Sequence, residues 1–147
     1  MKVKIKKLRK NAKIPTRGSD YACGYDAYAC LDSCEKISIP PQSLAKIGLG
    51  ISLEPEEGYY VGVYARSGLS TKEGLRPANC VGLCDEDYRG EYIVALYNDS
   101  SETRYVEDGE RIAQLVLHKR RDMEFVEVDE LEETKRGTGG FGSTGRA

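Results

Sequence analysis

At 147 residues, with 22 Lys and Arg against 24 Asp and Glu and a formal net charge of −2, the chain has room for one domain with a real core rather than two. Ten tyrosines, five prolines, sixteen glycines and no tryptophan speak against a helical bundle and for β structure cut by frequent turns. No apolar run approaches the ~18 residues that span a membrane, and the start lacks the apolar core of a signal peptide, so a cytoplasmic protein with no membrane partner is expected.

Residues 1–17 carry eight Lys and Arg and no acid. Within them "KVKIKKL" alternates charged and apolar residues, which suits the solvent face of a strand better than a nucleic-acid arm, and no nucleic-acid partner is expected. Five cysteines, Cys23, Cys30, Cys34, Cys80 and Cys84, make an odd number without a secretory leader, so reduced thiols are the default. The C-x3-C spacing of Cys30/Cys34 and Cys80/Cys84 is a weak zinc pattern, with His118 the one imidazole.

Strand-like runs follow one another: "VKIKKL", "GYDAYAC", "KISIP", "LAKIGLGISL", "YYVGVYA", "CVGLCD", "EYIVALYN", "RIAQLVLHK" and "FVEV". Turn-forming clusters such as "PPQS", "EPEEG" and "EDGE" separate them, which is the rhythm of a β-barrel or sandwich. "STKEGL" is the single helix candidate, with Ser70 as cap and an end near Gly74. After Val128 the apolar pattern stops, so residues 129–147 are expected to be a flexible arm on a domain formed by residues 1–128.

Four of these stretches carry chemistry. In "GYDAYA" Asp26 projects opposite to Tyr25 and Ala27, where an acid can hold a Mg²⁺ hydrate against phosphates. "ARSGLS" follows an apolar strand and places Ser67 and its neighbouring amides beside the Arg66 guanidinium fork, an anion-binding arrangement whose bland alternative is a helix start with a structural Arg. "NCVGLCDEDYRGEY" sets Asp85, Glu86 and Asp87 in one turn; it reads as a solvated hairpin or as a water-activating base with Tyr88 for stacking. "DGERIAQLVLHK" is a core strand in which Gln114 is a polar exception that needs a partner, and His118 near its end reads as a surface residue.

The tail "RGTGGFGSTGRA" completes the set. Its glycines let backbone N–H groups converge on an anion, Ser143 and Thr144 add hydroxyls, and Arg136 and Arg146 add charge. A Walker A loop would need a Lys that is missing, and Phe141 stands among small residues where it can stack on a flat ring.

Taken in order, "CGYDAYA", "ARSGLS", "NCVGLCDEDYRGEY", "DGERIAQLV" and "RGTGGFGSTGR" resemble the motifs of the homotrimeric dUTP pyrophosphatase (dUTPase) family, from about residue 23 to the end. The resemblance implies an all-β fold, a jelly-roll-like β-barrel of the dUTPase type with one short helix and a glycine-rich C-terminal arm, assembled as a homotrimer with active sites shared between subunits. It implies hydrolysis of dUTP to dUMP and pyrophosphate, which limits uracil incorporation into DNA and supplies dUMP for thymidylate synthesis. Asp85 is then the general base that activates water for attack on the α-phosphorus. Asn79 and the backbone around Gly82 read uracil, Tyr88 packs on the deoxyribose, and Phe141 lies on the base when the arm closes as a lid. Arg66, Ser67, Gln114, Arg136, Ser143 and Thr144 hold the phosphates, which Mg²⁺ bridges with Asp26 acting through metal-bound water, and Gly68 and Gly142 also bind substrate.

Three positions depart from the family pattern: Ala65 where Pro is usual, Cys23 where Ala is common, and Cys84 where an aliphatic residue precedes the base. The last suggests sensitivity to thiol reagents. Two other functions fit the scaffold less well. A dCTP deaminase would need a catalytic Glu for which Glu86 is poorly placed, and a non-catalytic nucleotide-binding module would have lost the base or the arm.

Overall fold

The computed structural model describes residues 1–32 and 36–140; Cys34 and the arm residues Phe141, Gly142, Ser143, Thr144 and Arg146 lie outside the described residues. In chain order the elements are β1 (Lys4–Lys7), β2 (Thr16–Arg17), β3 (Tyr25–Tyr28), β4 (Lys36–Ile39), β5 (Leu44–Gly48), β6 (Ile51–Glu54) and β7 (Tyr59–Tyr64). There follow α1 (Ser67–Glu73), β8 (Leu75–Pro77), β9 (Gly82–Cys84), β10 (Ile93–Asn98), β11 (Arg104–Glu107) and β12 (Arg111–Lys119). The strands pair into four sheets with orders β1-β6, β5-β10-β8, β11-β4 and β2-β3-β12-β7-β9. This is the expected all-β, jelly-roll-like arrangement with one short helix, though the hydrogen-bonded ladders do not close into a continuous barrel.

Alternation explains which side of each strand is buried. In β10, Val94, Leu96 and Asn98 face inward while Ile93, Ala95 and Tyr97 face out. In β7, Val61 and Val63 point into the core. The interior is closed by Ile39, Ile47, Leu49, Ile51, Leu75, Leu96, Val106 and Ile112, each almost fully buried. Burial of a side chain of this size stabilises by about 1.5–3 kcal/mol. The buried side-chain amide of Asn98 is fully used: Nδ2 donates to the carbonyls of Ile39 and Glu102, both at 2.8 Å, and Oδ1 accepts from the N–H and hydroxyl of Ser100. It thereby ties β10 to the end of β4 and to the turn before β11.

Gly50 and Gly74 adopt left-handed backbone conformations. Gly50, between β5 and β6, has φ +66°, and a Cβ there would lie 2.6 Å from Cys30 Sγ and 2.7 Å from Ala12 Cβ. Gly74 ends α1 at φ 72°, with its N–H donating to the Leu69 carbonyl, as the sequence suggests for that position.

Several expectations are corrected. The helix starts three residues before Ser70, with Arg66 at the N-cap position, and the Ser70 hydroxyl donates to the Ser67 carbonyl instead of capping. "FVEV" forms no strand: Phe125, Val126 and Val128 are exposed after β12 has ended at Lys119. His118 is more than a surface residue, since its ring stacks on Tyr60 at 5.2 Å and its Nε2 lies 2.9 Å from the Tyr64 hydroxyl. The basic start, by contrast, is a strand as expected, with Lys4 paired to Glu54 at 2.6 Å.

Candidate active site

The segment 79–94 builds a cleft of about 210 Å³ lined by Val63, Asn79, Gly82, Leu83, Cys84, Asp85, Tyr88, Glu91, Tyr92, Ile93 and Val94. β9 forms one wall. It is the last strand of its five-stranded sheet and pairs on one side with β7, so its other edge keeps backbone donors and acceptors available to a flat ligand. Gly82 keeps the cleft open: a Cβ there would stand 3.1 Å from Asn79 Nδ2 and 3.3 Å from Val63 Cβ. The Asn79 side chain makes no hydrogen bond among the described residues and is available for recognition.

The acidic turn sorts its three carboxylates. The Asp85 carbonyl accepts the Tyr88 N–H and closes the turn, while its carboxylate, exposed at the cleft, has neither hydrogen-bond nor ion-pair partner among the described residues. Glu86 is committed elsewhere, with Oε2 accepting the Gly58 N–H at 2.8 Å and pairing with Arg120 at 3.2 Å. Asp87 is exposed and does not line the cleft. Of the three, only Asp85 combines a position at the cleft with acceptor atoms left for a water molecule.

Tyr88 stands on the rim. Its hydroxyl donates to the Glu91 carbonyl at 2.9 Å and its ring lies 5.9 Å from that of Tyr92, so it presents a fixed ring face. Beneath it Cys84 and Tyr92 bring polar groups into an apolar floor. Burial pushes the Cys84 thiol up, and burial together with the neighbouring Cys84 raises the Tyr92 phenol strongly. The Tyr92 hydroxyl is buried without a hydrogen bond of acceptable geometry. A thiol held protonated is a weak nucleophile, so the environment of Cys84 works against the suggested sensitivity to thiol reagents.

A second constellation surrounds Asp26, whose side chain is 5% exposed. Asp26 Oδ1 accepts from Arg66 Nε at 3.0 Å and from Gln114 Nε2 at 3.4 Å, and Oδ2 accepts from Arg111 Nη1 at 3.1 Å. Arg66 Nη1 also donates to the Arg111 carbonyl at 3.0 Å. This explains the polar exception in β12: Gln114 stands opposite both Asp26 and Tyr64. Ser67 and Gly68 lie exposed at the start of α1, and a Cβ at Gly68 would meet nothing within 4 Å. Arg111 is the member that periodicity does not single out.

These two constellations lie on opposite faces of one sheet. Residues directly opposed across a ladder share a face, so Tyr64, Gln114 and Asp26 project together. Val63, the neighbour of Tyr64, projects the other way, beside Gly82 in the cleft. Arg136 is not brought to either: it is exposed, with Nε donating to the Gly139 carbonyl at 2.8 Å in its own turn.

Among the described residues no group of three or more His, Cys, Asp and Glu side chains converges on a metal position. Asp26 retains one acceptor position on Oδ2 after its three hydrogen bonds. That donor set fits a hydrated Mg²⁺ held mainly by phosphates and touched by the protein through water, since Mg²⁺ dehydrates reluctantly.

Comparison with known proteins places this geometry in a family. The dUTPase family model matches residues 10–145. Deoxyuridine 5'-triphosphate nucleotidohydrolase of Nautilia profundicola is 45% identical over 146 residues, covering 99% of this chain and 100% of that one. The enzyme of the same name from Desulfitobacterium hafniense is 47% identical over 99% of this chain and 97% of its own. Among solved structures, a mutant of the Staphylococcus bacteriophage 80alpha dUTPase with dUpNHpp superimposes with a TM-score of 0.86, at 28% identity and 99% coverage of both chains. A mutant dUTPase of phage phi11 of S. aureus, described with a structural Mg(II) ion, is alike in fold, with a TM-score of 0.79 at 23% identity over 90% of this chain and 100% of that one.

Proposed function

The chain belongs to the dUTPase family, with the activity of a deoxyuridine 5'-triphosphate nucleotidohydrolase, and from that premise we propose how its residues carry the reaction. The uncommitted Asp85 carboxylate at the mouth of the cleft is the observation that carries the reading. It accepts a proton from a water molecule, which attacks the α-phosphorus of dUTP and yields dUMP and pyrophosphate. In the cell this keeps uracil out of DNA and supplies dUMP for thymidylate synthesis.

The uracil ring enters the cleft against the edge of β9, where backbone groups of Gly82 to Cys84 and the Asn79 amide pair with its polar edge. Cytosine presents the reversed donor and acceptor pattern and leaves those groups unpaired. The fixed ring of Tyr88 occupies the space that a ribose 2′-hydroxyl would need. Arg66, Ser67, Gly68 and Gln114 hold the phosphates, and Arg136, Gly142, Ser143 and Thr144 add donors when the arm of residues 129–147 closes from the domain of residues 1–128, laying Phe141 on the base. Magnesium, when bound, offsets phosphate charge, with Asp26 reaching it through water.

Base cleft and Asp26 constellation project from opposite faces of one sheet, an arrangement that suits a site whose two halves come from different copies. This supports a site shared between subunits, in the homotrimer that the resemblance to the family implies. Exposed apolar groups support an assembly: Leu83 is 66% exposed, and Phe125, Val126 and Leu131 stand out from an acidic stretch, Asp122 to Glu133, opposite in charge to residues 1–17. No described helix is long and apolar enough to cross a membrane, and we place the enzyme in the cytoplasm without a nucleic-acid partner.

The test is incubation with Mg²⁺ and dUTP, dCTP, dTTP or UTP, following pyrophosphate and ammonia. Pyrophosphate from dUTP alone is the expected result. Ammonia from dCTP would move the chain to deaminase chemistry, and no reaction with any of the four would leave a binding scaffold.

A further inference from the structure

The pairing of β12 with β3 contains an irregularity that redirects one arginine. Gln114 faces Asp26 and Ala113 faces Ala27, but the next pair is Arg111 with Tyr28, so Ile112 is an extra residue in β12. In an uninterrupted ladder Ile112 would oppose Tyr28, and Arg111 would project to the other face. The bulge instead puts Arg111 on the face shared by Asp26, Tyr28 and Gln114, while Ile112 is buried in the core. There Arg111 Nη1 meets Asp26 Oδ2 at 3.1 Å.

We propose that Arg111 is a positioning residue of the phosphate site, aimed by the bulge to clamp the buried Asp26 carboxylate against Arg66. The inference rests on reading the Asp26 constellation as the place where phosphates bind. Asp26 brings one negative charge and the two arginines bring two positive ones, so the pair of guanidiniums leaves the constellation net positive towards a polyanion. Arg66 engages Asp26 through Nε alone, with Nη1 on the Arg111 carbonyl, which leaves Nη2 for a phosphate oxygen. Without Arg111 the Asp26 charge is matched by Arg66 only. The carboxylate then competes with phosphate for the same guanidinium, and repels it.

The experiment measures binding of inorganic tripolyphosphate and, separately, of deoxyuridine to the whole protein by calorimetry. The comparison covers wild type, Arg111→Met, Arg111→Lys, Asp26→Asn and the Asp26→Asn/Arg111→Met double variant. Arg111→Met is expected to weaken tripolyphosphate about tenfold, the scale of one lost hydrogen bond to a charged group. Arg111→Lys recovers part of the loss, and deoxyuridine binding is unchanged in both, which also reports that each variant is folded. In the Asp26→Asn background the loss from Arg111→Met shrinks to about threefold or less, because the charge it offset is gone. Should Arg111→Met fail to fold, Arg111→Gln carries the same comparison. Equal tripolyphosphate affinity in wild type and Arg111→Met overturns the proposal, as does a loss of the same size with and without Asp26. A wild-type protein that binds deoxyuridine but not tripolyphosphate overturns the phosphate reading itself, and the role of Arg111 with it.

Discussion

Replacing Gly82 with Ala isolates the geometry of base recognition. The backbone at Gly82 needs no left-handed conformation, so the substitution adds a methyl group and little else. That methyl lands 3.1 Å from Asn79 Nδ2 and 3.3 Å from Val63 Cβ, both tighter than ordinary van der Waals contact. Val63 is buried and cannot retreat, whereas Asn79 is exposed and has no hydrogen bond among the described residues to hold it. The strain is therefore relieved by moving the Asn79 amide a few tenths of an ångström off the uracil edge. A hydrogen bond lost while its partner stays buried costs about 1–3 kcal/mol, or roughly 5- to 150-fold in affinity. Steady-state kinetics with dUTP should show KM raised by a factor in that range. The kcat should fall far less, because Asp85 lies outside the contact and the phosphate groups are on the other face of the sheet. Thermal unfolding should shift by only a few degrees. A KM within twofold of wild type, in a protein that unfolds normally, would refute the placement of Asn79 and Gly82 against the base.

Other expectations follow from the same geometry. Asp85→Asn removes the acceptor for the water proton without disturbing a contact, so kcat should fall by about 10²–10⁴ while dUTP still binds, measured by single-turnover and equilibrium binding. Asn98→Ala deletes four hydrogen bonds made by one buried amide and takes its donor from the Ile39 carbonyl, while the Glu102 carbonyl keeps the Ser100 hydroxyl, so chemical denaturation should show a loss of about 2–4 kcal/mol. Burial raises the folded-state values of both the Cys84 thiol and the Tyr92 phenol, so the unfolded chain gives up these protons first as pH rises. Their stabilisation is complete below the ordinary thiol value near 8.5 and is lost as pH climbs through the raised values. Melting temperature should therefore fall from about pH 9 upwards, and Cys84→Ala with Tyr92→Phe should flatten that fall.

Much of this was legible in the residues, for reasons that can be named. Short runs of β-branched, aliphatic and aromatic residues such as "YYVGVY" and "IVALYN", bounded by turn clusters, mark strands because such side chains suit a pleated, packed surface. The lone Gln114 in an apolar run announces a buried polar partner, and Asp26 is that partner. What was missed lacks such a pattern. β2 has two residues and β8 is three residues ending in Pro77, too short for periodicity to register. "FVEV" has apolar residues of strand type, yet no strand pairs with it among the described residues. Arg111 escaped because a bulge shifts the period by one, and its effect is visible only once the register against β3 is known. The division of the site between two faces is likewise a property of register: Val63 and Tyr64 are neighbours in sequence and opposites in space.

Mixing two inactive variants tests the shared site most directly. Asp85→Asn spoils the cleft half and Arg66→Ala the phosphate half. Each protein alone should be nearly inert, and the two should be unfolded together, refolded at equal amounts and assayed with dUTP. If each site takes its cleft from one chain and its Asp26 constellation from another, one site in four of a random mixture combines two intact halves, and activity should return to about a quarter of wild type, the two halves being independent. Activity no greater than the sum of the separate variants would mean that one chain supplies both halves, and would contradict the account.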